Sequence, residues 1–269
     1  MTMDIKDKVL RLEEIEKLRL EIFKYMAINV TDKNVSEKFR KLNDLNVEYS
    51  KLMESIENQV QNVYKIYVVE SPSDKDLIEK RTEGKGLIHY FGLANISSEY
   101  YLVGNGVELS TAFKEIAKDV KEIKSSLSVT DIFNPVIHFS GHGNDELFGL
   151  TDNSYLSWTD LGKELYDLNI AAGIDLTERI SDFIICLSVC HGAKLKDVIK
   201  NGNGTPFFAM IGPTVSIDWT EAITAFQTFY HSFIIKEKIF SESLKIMKTS
   251  SGYDKLECLT DSRIKLTEK

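Results

Sequence analysis

Two short segments hold the residues best suited to chemistry: VIHFSGHG at residues 136–143 and DFIICLSVCHGA at residues 182–193. Each is an apolar run that ends in a glycine-bearing turn. The first turn presents His142 between Gly141 and Gly143, and the second presents Cys190 two residues before Gly192. A thiol becomes a strong nucleophile when a base takes its proton, and imidazole suits that task near neutral pH. Parallel strands finishing side by side would bring the two turns together at one sheet edge, whatever their separation in the chain. The pairing points to thiol catalysis, with peptide-bond hydrolysis as the expected reaction.

Other residues compete for these roles. Cys190 closes the run FIICLSV and precedes a helix expected over residues 193–200, so the positive end of a helix dipole would promote its nucleophilicity. Cys186 falls inside the strand and reads as a small buried hydrophobe. His138 is likewise inside its strand and reads as a satisfied core histidine. His191 adjoins Cys190, but neighbouring side chains diverge, which makes it secondary, and His89 and His231 carry no motif. A zinc site built from His138, His142, Cys186, Cys190 and His191 is disfavoured by spacing. Strand residues four apart lie about 13 Å from each other, whereas zinc ligands sit within about 2.3 Å of one ion. No metal and no cofactor is expected.

The elements that must position His142 and Cys190 are legible around them. The run YKIYVVE from Tyr64 reads as a first strand, closed by the turn signal SPSD, with a short helix over residues 75–81. Strands are expected at residues 87–91, 100–103, 136–139, 148–150, 183–187 and 207–211. Helices are expected at 110–124, 158–168 and 219–236. Strand and helix in alternation predict an α/β fold with a mostly parallel sheet flanked by helices. The NGNGT stretch at residues 201–205 lacks the Lys-Ser/Thr of a P-loop and reads as a connection.

Residues 4–63 contain no glycine or proline, and their apolar positions recur at helical spacing. They predict an N-terminal α-helical hairpin broken at residues 31–34 (TDKN), where Asn34 and Glu37 have capping-box spacing. The hairpin, residues 1–63, reads either as a structural pack or as a regulatory, partner-docking arm. Residues 64–269 read as the catalytic domain.

Composition narrows the partners. A chain of 269 residues with 43% hydrophobic and 28% charged residues has the balance of a globular protein. Its apolar runs fall short of the roughly 20 residues that span a bilayer, and its charged amino terminus does not read as a signal peptide. With three cysteines in no framework spacing, reduced thiols and a cytoplasmic location are expected. A net charge of −8 with no concentrated basic face argues against direct nucleic-acid binding.

With IYVVESPSD, VIHFSGHG, DFIICLSVCHGA and FFAMIGPTVSIDWTEAITAFQTFYHSF in this order, the chain resembles clan CD cysteine peptidases. Within that clan it resembles the bacterial CHAT-type branch related to caspases, metacaspases, gingipains and separases. The resemblance runs over roughly residues 64–250 and includes a closing helix near residues 243–248. It implies a caspase-like fold, His142 as the catalytic histidine, Cys190 as the nucleophile, and backbone N–H groups of Gly143 and Cys190 as the oxyanion hole. It further implies a protein substrate and a bacterial defence or cell-death role triggered by a partner. The position two before the nucleophile, glutamine in caspases, is Ser188 here. Asp218 lies where separase-like members carry an acidic residue, and Asp74 lies on the other loop expected to border the pocket. Asp74, Ser188 and Asp218 thus form the expected S1 pocket, with a basic P1 residue. Asp218 reads equally well as a helix N-cap, with Glu221 three residues on. A catalytically silent caspase-fold scaffold is the alternative, disfavoured by an intact His142 and Cys190.

Overall fold

The computed structural model describes residues 4–28, 34–57, 60–128, 130–177, 180–201 and 205–260. The chain divides into two compact units: residues 1–62 with 127–132, and residues 63–126 with 133–269.

The first unit is a pair of antiparallel helices, α1 (Ile5–Ile28) and α2 (Val35–Glu57). Ile15, Ile22, Leu42 and Leu45 form its buried seam, with Leu18, Met26, Tyr49 and Leu52 at the margins. Arg11 grips Glu48 through two hydrogen bonds of 2.7 and 3.0 Å, and Lys8 donates to Ser55 at 2.5 Å. These pairings link the start of α1 to the second half of α2, which fixes the antiparallel sense. Residues 31–33, most of the expected break, lie outside the described residues.

The second unit carries a six-stranded sheet in the order β2-β1-β3-β6-β7-β8. Its strands are β1 (Gln61–Ser71), β2 (Ser97–Leu102), β3 (Asp131–Gly141), β6 (Ile184–Ser188), β7 (Ala209–Pro213) and β8 (Leu256–Thr260). β1 pairs with β2, β3 with β6 and β6 with β7, all in parallel, whereas β8 runs antiparallel to β7. A small hairpin of β4 (Leu147–Gly149) and β5 (Tyr155–Ser157) lies outside this sheet.

Alternation along the strands explains how both faces are covered. Ile66, Val68, Val136, Ile184, Cys186 and Ile211 pack with Leu87 and Phe91 of α4 (Glu83–Leu93), Phe226 and Phe229 of α7 (Trp219–Tyr230), and Met247 of α8 (Phe240–Ser251). On the opposite face α5 (Gly106–Ser126) sets Phe113 edge-on to Phe139 at 6.1 Å, and its Asp119 accepts from the Tyr67 hydroxyl at 2.5 Å.

Three expectations need correction. Residues 87–91 are helical, inside α4, and not a strand. The three glycines in EGKGLIHYFGL weaken helix propensity, but Leu87 and Phe91, one helical turn apart, are both buried by the sheet. Gly84 is required there, since a Cβ would meet the Glu70 carboxylate at 2.8 Å. The segment after Cys190 is a 3-10 run, Gly192–Asn201, in place of an α-helix. The helix expected over residues 219–236 is α over Trp219–Tyr230 and then a π turn over His231–Ile235. The NGNGT connection falls largely on residues 202–204, outside the described residues.

Candidate active site

The register of β3 against β6 places the two chemical residues. Ser140 is the Cα partner of Ser188, and His142 and Cys190 each follow two residues beyond that pair. Both turns therefore leave the same edge of the sheet in step. Gly143 lets them touch, because a Cβ there would come within 2.6 Å of Val189 Cγ1 and 3.0 Å of the Cys190 carbonyl oxygen. Gly141 is equally confined, with the Ser71 carbonyl oxygen 2.7 Å from where its Cβ would stand. These glycines are needed for close approach, not for backbone freedom.

His142 and Cys190 line one cavity of about 40 Å³, together with Gly141, Ser188, Ile217, Asp218, Trp219 and Ala222. The His142 side chain is half exposed, and its ring meets the Trp219 indole edge-on, with centroids 5.5 Å apart. Its Nε2 lies 2.5 Å from Oδ2 of Asp76, a buried carboxylate on the short helix α3 (Asp74–Ile78). Asp76 is fixed as the third residue of a capping box, exchanging hydrogen bonds with the backbone and hydroxyl of Ser73. Burial acts to raise the Asp76 carboxyl, but hydrogen bonds from Ser73 and His142 outweigh it, and the group titrates below its usual range. An ionised carboxylate only accepts, so Nε2 of His142 carries the proton and Nδ1 is left as the ring's basic atom.

Cys190 is partly exposed, and its Sγ touches Ile217 twice. It accepts from the Ile217 N–H and donates to the Ile217 carbonyl, each at 3.5 Å. The next residue, His191, has φ of 60°. That left-handed conformation costs a non-glycine residue on the order of 1–2 kcal/mol, and it sharpens the turn on which Cys190 stands. The His191 N–H donates to the Val215 carbonyl at 3.2 Å.

Below the cavity floor lies a polar network that sequence reasoning missed. The Ser188 hydroxyl donates to Glu83 Oε1 at 2.8 Å, and the Ser140 hydroxyl to Glu83 Oε2 at 2.8 Å. Glu70, also buried, accepts from the Gly84 N–H at 2.7 Å and the Tyr100 hydroxyl at 2.6 Å. Burial pushes the Glu70 carboxyl above its ordinary value, an effect that Tyr100 only partly offsets. His138 is wholly buried, with Nδ1 2.9 Å from the Tyr230 hydroxyl and Nε2 3.9 Å from Glu83 Oε1. Cys186 is wholly buried in the sheet, and burial pushes its thiol up to about 12.

Of the three residues expected in S1, Ser188 and Asp218 line the cavity. Asp218 is also the N-cap of α7, accepting from the Thr220 and Glu221 N–H groups at 2.9 Å, and Glu221 returns the capping-box bond. The two readings of Asp218 are thus compatible. Asp74 is exposed on α3 and is not among the cavity-lining residues; Asp76, two residues on, is the carboxylate that meets His142. The signal for Asp76 was available in SPSDKD, where Ser73 and Asp76 have capping-box spacing. Nothing local marked Glu83, which reaches the site only through the packing of α4 against the sheet.

Among the described residues no group of three His, Cys, Asp or Glu side chains could hold a metal ion. No helix among them is long and apolar enough to cross a membrane. A scan against protein-family models found no match, and neither did a search of curated proteins.

Proposed function

We propose that the chain is a cysteine endopeptidase of the clan CD, CHAT-type kind. Cys190 is the nucleophile, His142 the general base and acid, and Asp76 a positioning residue. The observation that carries the reading is that His142 and Cys190 line one cavity at the ends of paired parallel strands, with a buried carboxylate on Nε2 of His142.

In the reaction the Cys190 thiol gives its proton to His142 Nδ1, and Sγ attacks the scissile carbonyl carbon. A C–S bond forms as the carbonyl π electrons move onto oxygen. The N–H groups of Gly143 and Cys190 are the donors for that oxyanion, and one such donor contributes roughly 10²- to 10³-fold in rate. The oxyanion collapses, the C–N bond breaks, and the leaving amine takes the proton from His142. Water then attacks the acyl-enzyme with His142 again as base, and the thiol is restored. Asp76 holds the imidazole in the Nε2–H tautomer and stabilises the imidazolium formed midway.

The substrate is a protein cleaved after a basic residue. Support comes from charge: Asp218 stands on the cavity wall, and the Glu83 carboxylate accepts from the Ser188 hydroxyl behind that wall, with His138 Nε2 3.9 Å away. An arginine or lysine side chain would meet the Asp218 carboxylate on the wall, with the Glu83 carboxylate behind Ser188. A bacterial defence or cell-death role, with a regulatory protein docking on the helical hairpin, completes the proposal. The test is fluorogenic peptides carrying Arg, Lys, Asp or Leu at P1, assayed with the protein and its Cys190→Ala variant. Turnover of the Arg and Lys peptides by the native protein and not by Cys190→Ala supports the reading; turnover by both proteins, or turnover confined to the Asp or Leu peptides, removes it.

A further inference from the structure

The nucleophile stands in a narrow cavity. A peptide carbonyl must reach about 3–3.5 Å from the attacking sulfur, yet the cavity beside Cys190 holds about 40 Å³ and its thiol is engaged twice by Ile217. While Sγ donates to the Ile217 carbonyl, that proton is not available to His142. Ile217 belongs to the connection from β7 to α7, and residues 214–218 of that connection are tied down along their length. The Thr214 N–H donates to the Lys255 carbonyl at 2.8 Å, and the His191 N–H to the Val215 carbonyl at 3.2 Å. The Tyr253 hydroxyl donates to the Ser216 carbonyl at 3.0 Å and reaches the Val215 carbonyl at 3.5 Å. Thr214, Val215 and Ser216 present their outer side to solvent, whereas Tyr253 is 7% exposed beneath them.

We infer that residues 214–218 form a latch closed over Cys190, with the Tyr253 hydroxyl as its catch. The latch lifts as a unit from an exposed outer side, through the loss of a few hydrogen bonds and of the packing of Ile217 against the core. Lifting it frees the thiol proton for His142 and enlarges the cavity at once. The inference rests on the peptidase reading for its biological meaning, but the closed geometry around Cys190 is a separate claim and can be tested alone.

The test is alkylation of the full chain by iodoacetamide, with each cysteine followed by peptide mapping. Tyr253→Phe keeps the ring and removes the catch, and one lost neutral hydrogen bond corresponds to roughly fivefold faster labelling of Cys190. Cys258, on β8, is the internal control and keeps its native rate. An unchanged Cys190 rate in a variant that melts like the native protein would overturn the latch. Should Tyr253→Phe unfold, all three cysteines would label together, and amide exchange on the native protein decides instead. Slow exchange at Ile217 and His191 is the predicted result, and exchange at free-peptide rates contradicts it. Faster labelling without any peptidase activity would keep the latch and remove the peptidase, whereas peptidase activity with unchanged labelling would do the reverse.

Discussion

The Asp76 carboxylate accepts a hydrogen bond from His142 Nε2 at 2.5 Å, joining the segments that follow the neighbouring strands β1 and β3. The contact joins a helix-capping residue to the imidazole that lines one cavity with Cys190, and it gives the proposed dyad a third member. Asp76→Asn keeps the shape and removes the charge, so the imidazolium loses its partner. The expected result is a fall in kcat/KM of roughly 10²-fold or more with KM little changed. An equal loss confined to KM would mean that Asp76 binds substrate instead.

The same residue predicts an acid limb of stability. Its folded carboxyl titrates below the ordinary value, so its stabilisation is fully present above the unfolded value of about 4 and disappears as pH falls through the lower folded value. Urea unfolding of the native protein should weaken steadily below about pH 4. Asp76→Asn should flatten that part of the profile while leaving the slope above it unchanged.

Gly143 is the contact between the two turns. In Gly143→Ala the new methyl stands 2.6 Å from Val189 Cγ1 and 3.0 Å from the Cys190 carbonyl oxygen. Overpacking of this kind costs about 1–3 kcal/mol, and here the movement that relieves it separates His142 from Cys190. Activity is expected to fall further than the melting temperature would explain. Full activity with a lowered melting temperature would show that the spacing of the turns is not critical.

Under the proposed basic P1 preference, Ser188 and Glu83 would form a second determinant beside Asp218. Glu83→Gln keeps an acceptor for one of the Ser140 and Ser188 hydroxyls, obliges the other to accept from its NH2, and removes the carboxylate behind Ser188. Selectivity for Arg and Lys over Leu is expected to drop roughly tenfold, on the scale of one charge-assisted interaction. Asp218→Ala should lower the same preference and also destabilise α7 by about 1 kcal/mol through the lost cap. A P1 profile that neither substitution alters would remove the basic-residue assignment.

The paired turns were legible in the sequence because each is a local pattern: an apolar strand, then glycines around one reactive side chain. Their meeting followed from the parallel sheet, which the alternation of strands and helices also announced. Asp76 was visible only as an ordinary capping residue, since its contact with His142 depends on where β1 stands in the sheet. Glu83 was hidden by a misread element: the run GLIHYF has the apolar density of a strand, and only tertiary burial of Leu87 and Phe91 makes it a helix. The antiparallel edge strand β8 carries LECLT, a short run with too little alternation to stand out from a loop. The inferred closing of residues 214–218 over Cys190 rests on backbone groups of that segment meeting the Cys190 thiol and the Tyr253 hydroxyl, a pairing across the fold that no local pattern encodes.

The central claim is that Cys190 attacks peptide bonds with the help of His142. The most direct measurement incubates the protein, its Cys190→Ala variant and its Tyr253→Phe variant with a proteome-derived peptide library, and reads the new termini by mass spectrometry. The account predicts new cuts following Arg or Lys with the native protein, more of them with Tyr253→Phe, and none with Cys190→Ala. Cuts that persist in Cys190→Ala, or no cuts from Tyr253→Phe although its Cys190 is freely alkylated, would contradict it.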